Sequence, residues 1–164
     1  MPGNLADELA IRGLTAHYSH MADQLRGDEC AAAFTENGVL EIPGKRLEGK
    51  PEIAGFFDVQ ALGAPIDIGF GLTGNLLSTV HATTDNVISI KGDEATQMSY
   101  QLVFRQVPRE AARDGLIILT HRWHDRLFRT DAGWLFEHRA LTVLQSNADP
   151  SATAAKTLNL PVHP

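Results

Sequence analysis

Four side chains of this sequence can carry acid–base chemistry: Tyr18, Asp23, His81 and His121. A neutral imidazole is a base near neutral pH, and a carboxylate bonded to one of its nitrogens can orient it. A phenol can donate a hydrogen bond to an oxygen on which negative charge grows. These residue types suit removal of a proton from carbon, and whether they can cooperate depends on the elements that carry them.

Two of these residues also have purely structural interpretations, and the spacing of a third argues against a shared site. Tyr18 lies in the apolar stripe of a helix, where it either fills the core or points its hydroxyl into a cavity. His81 ends an apolar strand and is either a hydrogen-bonded structural histidine or a base. Asp23 follows Tyr18 by five residues, about 140° around an ideal helix, so spacing alone places it off the Tyr18 face.

The strand that contains His121 alternates apolar and polar residues. One face of it carries Leu119, His121, Trp123, Asp125 and Leu127. This face is either a pocket wall with a polar group in it or a surface that meets a neighbouring subunit. His124 points to the opposite face, so it cannot chelate a metal together with His121. His17 and His20 have a metal-binding spacing but lie off the apolar stripe, and we predict no metal site.

Hydrophobic spacing predicts helices first and strands afterwards. Intervals of three and four indicate a helix over about 5–24, capped by Asn4 and closed by Gly27, then a short helix over 29–35 and a third that begins at Pro51. Alternation and turn residues predict strands over 38–42, 78–82, 87–91, 95–107, 117–129 and 134–145. This order indicates an α+β fold in which N-terminal helices pack on a strongly curved mixed or antiparallel sheet.

The length and composition indicate one domain with one core. The chain has 164 residues, and we assign 1–146 to a single domain and 147–164 to an extended C-terminal tail. The glycine-rich segment 61–75 is a candidate lid over a pocket.

The charge and the cysteine count exclude several classes of partner. Fourteen Lys and Arg against 20 Asp and Glu give a net charge of −6, which disfavours nucleic acids and anionic membranes as partners. The single cysteine, Cys30, excludes an internal disulfide framework and a cysteine-based zinc site. With neither a signal peptide nor an apolar run of membrane-spanning length, the expected location is the cytoplasm.

The order of elements and several local strings resemble the SnoaL-like domain of the NTF2-like (cystatin-like α+β barrel) superfamily over residues 5–145. The strings are Ile11-Arg-Gly-Leu-Thr-Ala-His-Tyr18 with Asp23, Phe34-Thr-Glu-Asn-Gly38, Leu47-Glu-Gly49 followed by Pro51-Glu-Ile53, His81, Gly92-Asp-Glu-Ala-Thr96, and Arg129-Thr-Asp-Ala-Gly-Trp134. The resemblance implies a cone-shaped barrel around a deep apolar pocket that the helices close.

The resemblance also implies a site. Members similar to scytalone dehydratase and the bile-acid dehydratases place a tyrosine on the first helix, an aspartate shortly after it and a histidine on the strand after the third helix. Tyr18, Asp23 and His81 match these positions in order and spacing. In that arrangement Asp23 orients His81, His81 removes a proton, and Tyr18 stabilises the developing oxyanion. Where the family often has another tyrosine, this sequence has Trp123.

The implied activity needs no cofactor. We expect a cofactor-independent lyase, of dehydratase or retro-aldol type, or an isomerase, acting on a hydrophobic, aromatic or polycyclic small molecule. The alternatives are a non-catalytic binding module, such as the small subunit of a ring-hydroxylating dioxygenase, and a polyketide cyclase or epoxide hydrolase on the same scaffold. A homodimer or homotrimer is expected. The pocket candidates, including the substrate-binding set, are Phe34, Phe56, Phe57, Met98, His121 and Trp123.

Overall fold

The computed structural model describes residues 5–61, 78–107 and 115–146. The described elements are α1 (Leu5–Asp23), α2 (Gly27–Ala32), β1 (Phe34–Ile42), β2 (Lys45–Glu48), α3 (Gly49–Ala61), β3 (Ser78–Lys91), β4 (Glu94–Gln106), β5 (Leu116–Thr130) and β6 (Gly133–Ser146). The predicted α+β order is therefore confirmed. The predicted tail 147–164 lies outside the described residues, as does the predicted lid 61–75 apart from Ala61, which ends α3.

The six strands form one mixed sheet that curls without closing. Their order is β2-β1-β6-β5-β4-β3, and β1 runs parallel to β6 while the other neighbours are antiparallel. Helix α1 packs against both β3 and β6, and α3 packs against β1 and β2. One face of the sheet is thereby covered by helices, and the candidate site lies on this inner face.

The two faces of the sheet differ sharply along β4. Its inner residues from Ala95 to Val103 are buried, whereas its outer residues Met98, Tyr100, Leu102 and Phe104 are each more than one-third exposed. Met98 was expected in the pocket, and that prediction is wrong because the two-residue period places its side chain on the outer face. An apolar outer face suits contact with a second copy of the chain, which stays a prediction.

Three predicted element boundaries are wrong. Helix α2 was expected to reach residue 35, but Phe34 is already in β1, where its main chain pairs with Phe136 and its side chain is fully buried. Sheet pairing therefore overrides the helical preference of the alanine-rich segment. The short strand β2 was missed, and the strands predicted over 78–82 and 87–91 are one strand, β3, with a register shift next to Asp85, whose φ is 54°.

The predicted end of α1 at about residue 24 is confirmed to within one residue, but the role predicted for Gly27 is wrong. The residue in left-handed conformation is Leu25 (φ 54°), not Gly27, and the Arg26 amide donates to the Met21 carbonyl at 3.0 Å. This is a Schellman ending with leucine in the glycine position. Gly27 instead begins α2, where a Cβ would lie 2.5 Å from the Ala54 carbonyl oxygen of α3. Close packing, and not helix termination, requires glycine here.

The centre of the core holds an ion pair. Arg139 is fully buried, and its guanidinium lies 4.5, 4.3 and 4.5 Å from the ring centroids of Tyr18, Trp123 and Phe136. Its Nε lies 3.3 Å from Asp125 Oδ1. Burial raises the pKa of Asp125, and the charge of Arg139 opposes that rise. A buried cation is thus held by one carboxylate and three aromatic faces.

Gly27→Ala should lower the free energy of unfolding by roughly 1–3 kcal/mol, because α2 and α3 must separate to admit the new Cβ. Gly13→Ala, in the exposed middle of α1 with nothing within 4 Å of its Cβ position, should instead raise it by roughly 0.5–1 kcal/mol. Urea denaturation of both variants checks this pair. Equal effects of the two substitutions would contradict the close-packing role of Gly27.

Arg139→Met should cost about 3–5 kcal/mol of stability, because it leaves the buried Asp125 without its counter-charge. The double variant Arg139→Met/Asp125→Leu removes both charges and should recover at least half of that loss in urea denaturation. If the double variant is no more stable than the single one, the packing of the arginine stem, and not the ion pair, accounts for the cost.

Candidate active site

Asp23 and His81 form a hydrogen-bonded pair at the junction of α1 and β3. Asp23 Oδ1 lies 2.5 Å from His81 Nδ1, and the His81 main-chain amide donates to Asp23 Oδ2 at 3.2 Å. Their side chains are 17% and 16% exposed. Both carboxylate oxygens thus bind the same residue, and His81 Nε2 has no hydrogen-bond partner among the residues that the structure describes.

The geometry of α1 explains why spacing alone undervalued Asp23. The 140° between Tyr18 and Asp23 shows only that Asp23 lies off the Tyr18 face. Helix α1, however, contacts two separate strands. Tyr18 faces the aromatic core beside β6, while Asp23, in the last turn, faces β3. The Asp23–His81 pairing depends on where β3 packs against α1, and the hydrophobic period of the helix alone does not predict that position.

Tyr18 is buried among aromatic rings, apart from this pair. It is 4% exposed and makes edge contacts with Phe34, Phe57 and Phe136 at centroid distances of 5.8, 6.2 and 6.0 Å. Burial raises the pKa of its phenol above the usual range, so the hydroxyl stays protonated. Within the described segments no hydrogen bond joins this hydroxyl to Asp23 or His81, and its oxyanion role stays a prediction.

A polar row of side chains lies beside His81 on the inner face. Gln101 of β4 pairs in register with Thr83 of β3 and His121 of β5. Gln101 Nε2 donates to Thr83 Oγ1 at 3.2 Å, and Gln101 Oε1 accepts from Trp123 Nε1 at 2.9 Å. Sequence reasoning missed Gln101, although a glutamine at an inward position of an alternating strand was a usable signal.

His121 lies buried at the end of that row. Burial first, and then the positive charges of Arg105 and His81, lower the pKa of His121 to about 3. His121 is therefore neutral near pH 7. It lies close enough to His81 for a charge on one ring to affect the other. Its Nδ1 is buried and has no hydrogen-bond partner in the described part of the chain.

The other predicted binding residues fall into two groups. Trp123 is 5% exposed and shares the inner face of β5 with His121. Phe57 of α3 is buried against Tyr18, and Phe56 stacks edge-on against Phe57 with a centroid distance of 5.2 Å. The structure thus brings His121 and Trp123 to the face that carries His81, and Phe56 and Phe57 to the aromatic core around Tyr18.

A second histidine–carboxylate pair, His138 Nε2 with Glu41 Oε2 at 3.0 Å, is solvent-exposed, unlike the partly buried Asp23–His81 pair. Over residues 5–61, 78–107 and 115–146, no three His, Cys, Asp or Glu side chains are placed to hold one metal ion. No described helix is long and apolar enough to cross a membrane. A groove on the outer face, between Val87, Met98, His124 and His138, contains neither Asp23 nor His81.

Structural comparison finds similar chains of several descriptions. Rv3472 from Mycobacterium tuberculosis, a protein of unknown function, is 26% identical, with a TM-score of 0.70 over 94% of this chain and 87% of its own. A candidate scytalone dehydratase from Novosphingobium aromaticivorans is 21% identical, with a TM-score of 0.73 over 89% of each chain. A hexachlorocyclohexane dehydrochlorinase, LinA type 2, is 14% identical, with a TM-score of 0.70 over 87% of this chain and 88% of its own.

The family is shown by the sequence itself. No curated protein gives a significant match to the chain. Residues 3–140, however, match the SnoaL-like domain family, and they include α1, β3 and the Asp23–His81 pair. The fold and this match agree with the resemblance drawn from the local strings, and the chain belongs to the SnoaL-like domain family.

Proposed function

We propose that this protein is a cofactor-independent lyase or isomerase that removes a proton from a hydrophobic small molecule with the Asp23–His81 pair. The observation that carries the proposal is the double hydrogen bond of Asp23 to the ring and the main chain of His81. A carboxylate bonded to Nδ1 sets the tautomer in which Nε2 has a free lone pair. A histidine that served only to fill space would not need this orientation.

The proposed step moves one proton and one electron pair. His81 Nε2 takes a proton from a carbon beside an electron-withdrawing group, and the electrons of the C–H bond form a double bond as the leaving group departs. Asp23 stabilises the imidazolium that forms, and the negative end of the α1 dipole lies in the same turn. The imidazolium then returns its proton to the departing hydroxide, or to another carbon in an isomerisation.

We further propose that Tyr18 donates to the oxygen on which charge accumulates. Its raised pKa keeps the proton on the phenol, and one such donor in a dry site contributes about 3–4 kcal/mol to transition-state stability. The aromatic side chains Phe56, Phe57 and Trp123 favour a ring-containing substrate. The similar chains described as a scytalone dehydratase and a dehydrochlorinase support elimination as the type of reaction.

The geometry of the site supports the alternative functions less well than it supports proton abstraction. A binding module or dioxygenase small subunit would not require an oriented imidazole. Cyclisation remains open to the same base, because it also begins with proton removal from carbon. A homodimer or homotrimer, formed through the apolar outer face, is part of the proposal and leaves the inner face available to the substrate.

Asp23→Asn and His81→Gln should each lower the rate of elimination by roughly 10²–10⁴-fold, because each removes the oriented base. Suitable probes are a phenyl-substituted β-hydroxy ketone, followed by the absorbance of its enone, and a polychlorinated cyclohexane, followed by chloride release. His124→Gln, on the exposed outer face of β5, is the matched control and should retain full activity.

Nitrogen NMR of His81 gives a test that needs no substrate. The wild-type ring should carry its proton on Nδ1 in the neutral form, and Asp23→Asn should shift the tautomer equilibrium towards Nε2. Full elimination activity in both site variants, with unchanged thermal stability, would overturn the proposed function.

The buried neutral His121 should make the protein less stable in acid. Its pKa in the folded state, about 3, is lower than the unfolded value of about 6.5, so below pH 6.5 the unfolded chain binds a proton that the folded chain cannot. Stability should therefore fall as the pH falls from about 6.5 towards 3, by about 2 kcal/mol between pH 6.5 and 5 from this group alone.

His121→Gln should remove that part of the acid sensitivity, whereas the exposed His124→Gln should keep it. Urea denaturation at about pH 7 and pH 5 measures the difference for each variant, and the common contribution of the carboxylates cancels between them. The same pH dependence in the wild type and in His121→Gln would show that His121 takes up a proton in the folded state.

A further inference from the structure

Arg105 is an inward-facing cation of the sheet, like Arg139, but no carboxylate of the described residues pairs with it. It lies on β4 two residues beyond Val103, which pairs in register with His81. Its Nε and Nη1 are buried and have no hydrogen-bond partner within residues 5–61, 78–107 and 115–146. Among those residues it also makes no ion pair, whereas Arg139, whose nitrogens likewise lack hydrogen bonds there, has the carboxylate of Asp125 at 3.3 Å.

The neighbours of Arg105 share this deficit. Thr79 of β3 pairs in register with Arg105, and its Oγ1 is buried without a partner in the described structure. His121 Nδ1, two rows further along the same face, is also buried without a partner there. Buried polar groups in folded proteins almost always have partners. Unsatisfied atoms also occur away from this patch, on Gln97, Ser99, Arg122, Asp125 and Arg139. What distinguishes the patch is therefore an inward-facing cation, beside the Asp23–His81 pair, with no counter-charge among the described residues.

The order of the rows on the inner face places this patch beside the proposed base. Thr79 and Arg105 form one row, His81 and Val103 the next, and Thr83, Gln101 and His121 the third. Adjacent rows are about 7 Å apart, the length of two strand residues. A ligand group held at Arg105 would therefore position another part of the same molecule at His81.

The charge of the patch favours a monoanion. Arg105 is protonated at neutral pH, since burial lowers its pKa only to about 10, and its charge reaches His121. His121 is itself neutral there, so the patch offers one positive charge. One ionised carboxylate balances it, whereas a phosphate dianion would leave excess negative charge in a buried site.

We propose that Arg105 and Thr79 form an anion subsite that holds a carboxylate of the substrate while His81 removes a proton from a carbon about one row away. This inference rests on the proposed function and refines it. The substrate class becomes a hydrophobic, ring-containing carboxylic acid, and Arg105 is its specificity-determining residue.

The test compares two probes that differ only in charge, 2-naphthoate and 2-naphthamide, by isothermal titration at about pH 7.5, where the carboxylic acid is ionised. The wild-type protein should bind naphthoate roughly 10- to 100-fold more tightly, the range expected for a hydrogen bond to a charged group. Arg105→Gln should abolish this preference without weakening naphthamide binding, and Arg105→Lys should retain part of it. Arg122→Gln, which removes a cation from the outer face of β5, should retain all of it.

The outcomes separate this inference from the proposed function. If wild-type protein binds both probes equally, or if Arg122→Gln loses as much preference as Arg105→Gln, the anion subsite is wrong whatever the Asp23 and His81 variants show. If Arg105→Gln alone loses the preference while the His81→Gln variant keeps full elimination activity, the subsite stands and the proposed function fails. Equal binding of the two probes by the wild-type protein overturns the subsite even if Arg105→Gln does not fold. If the wild type prefers naphthoate, Arg105→Lys reports the contribution of Arg105.

Discussion

The candidate site depends on one constraint: a carboxylate at the end of α1 binds the side chain and the main chain of the same histidine on β3. A single hydrogen bond to the ring would let the imidazole rotate about its bonds to the main chain. The second bond, to the His81 amide, ties the carboxylate to the strand itself. The last turn of α1 and the start of β3 must therefore keep their relative position for the imidazole to keep its orientation, so helix packing and the proposed chemistry are coupled here.

The inner face of the sheet has an aromatic region around Tyr18 and a polar region around His81. Around Tyr18 the core is aromatic, and its one cation is paired with Asp125 and covered by three rings. Around His81 the residues are instead Gln101, Thr83, His121 and Arg105. Gln101 bonds to Thr83, whereas His121 Nδ1 and two nitrogens of Arg105 have no hydrogen-bond partner in the described structure. Unsatisfied polar groups cost stability, so a fold selected for stability alone would pair or remove them. Among the groups beside His81, Arg105 differs from Arg139 in having no counter-charge among the described residues, and we propose that a bound anion supplies it.

Local patterns predicted much of this architecture. The helix spacing of Leu14, Tyr18 and Met21 and the alternation along β4 and β5 are properties of short segments, and the elements they predict are present. The failures concern contacts between segments. Phe34 joins β1 because Phe136 pairs with it, and Asp23 reaches His81 because α1 crosses β3. Only the resemblance to a family related Tyr18, Asp23 and His81 to one another. The alternation of β4 places Gln101 and Arg105 on its inward face but does not indicate what they contact.

Arg139 and Arg105 show that the same residue type lies in two different environments in one sheet. Both are inward-facing guanidinium groups on long strands, and both must lose water on folding. Arg139 recovers part of that cost within the chain, through the charge of Asp125 and the faces of Tyr18, Trp123 and Phe136, although its nitrogens make no hydrogen bond to a described residue. Arg105 does not recover it from the described residues, and its pKa falls as burial alone dictates. A buried charge that no described residue compensates can be stabilised by a bound anion, and this is the role that we propose for the carboxylate of the substrate.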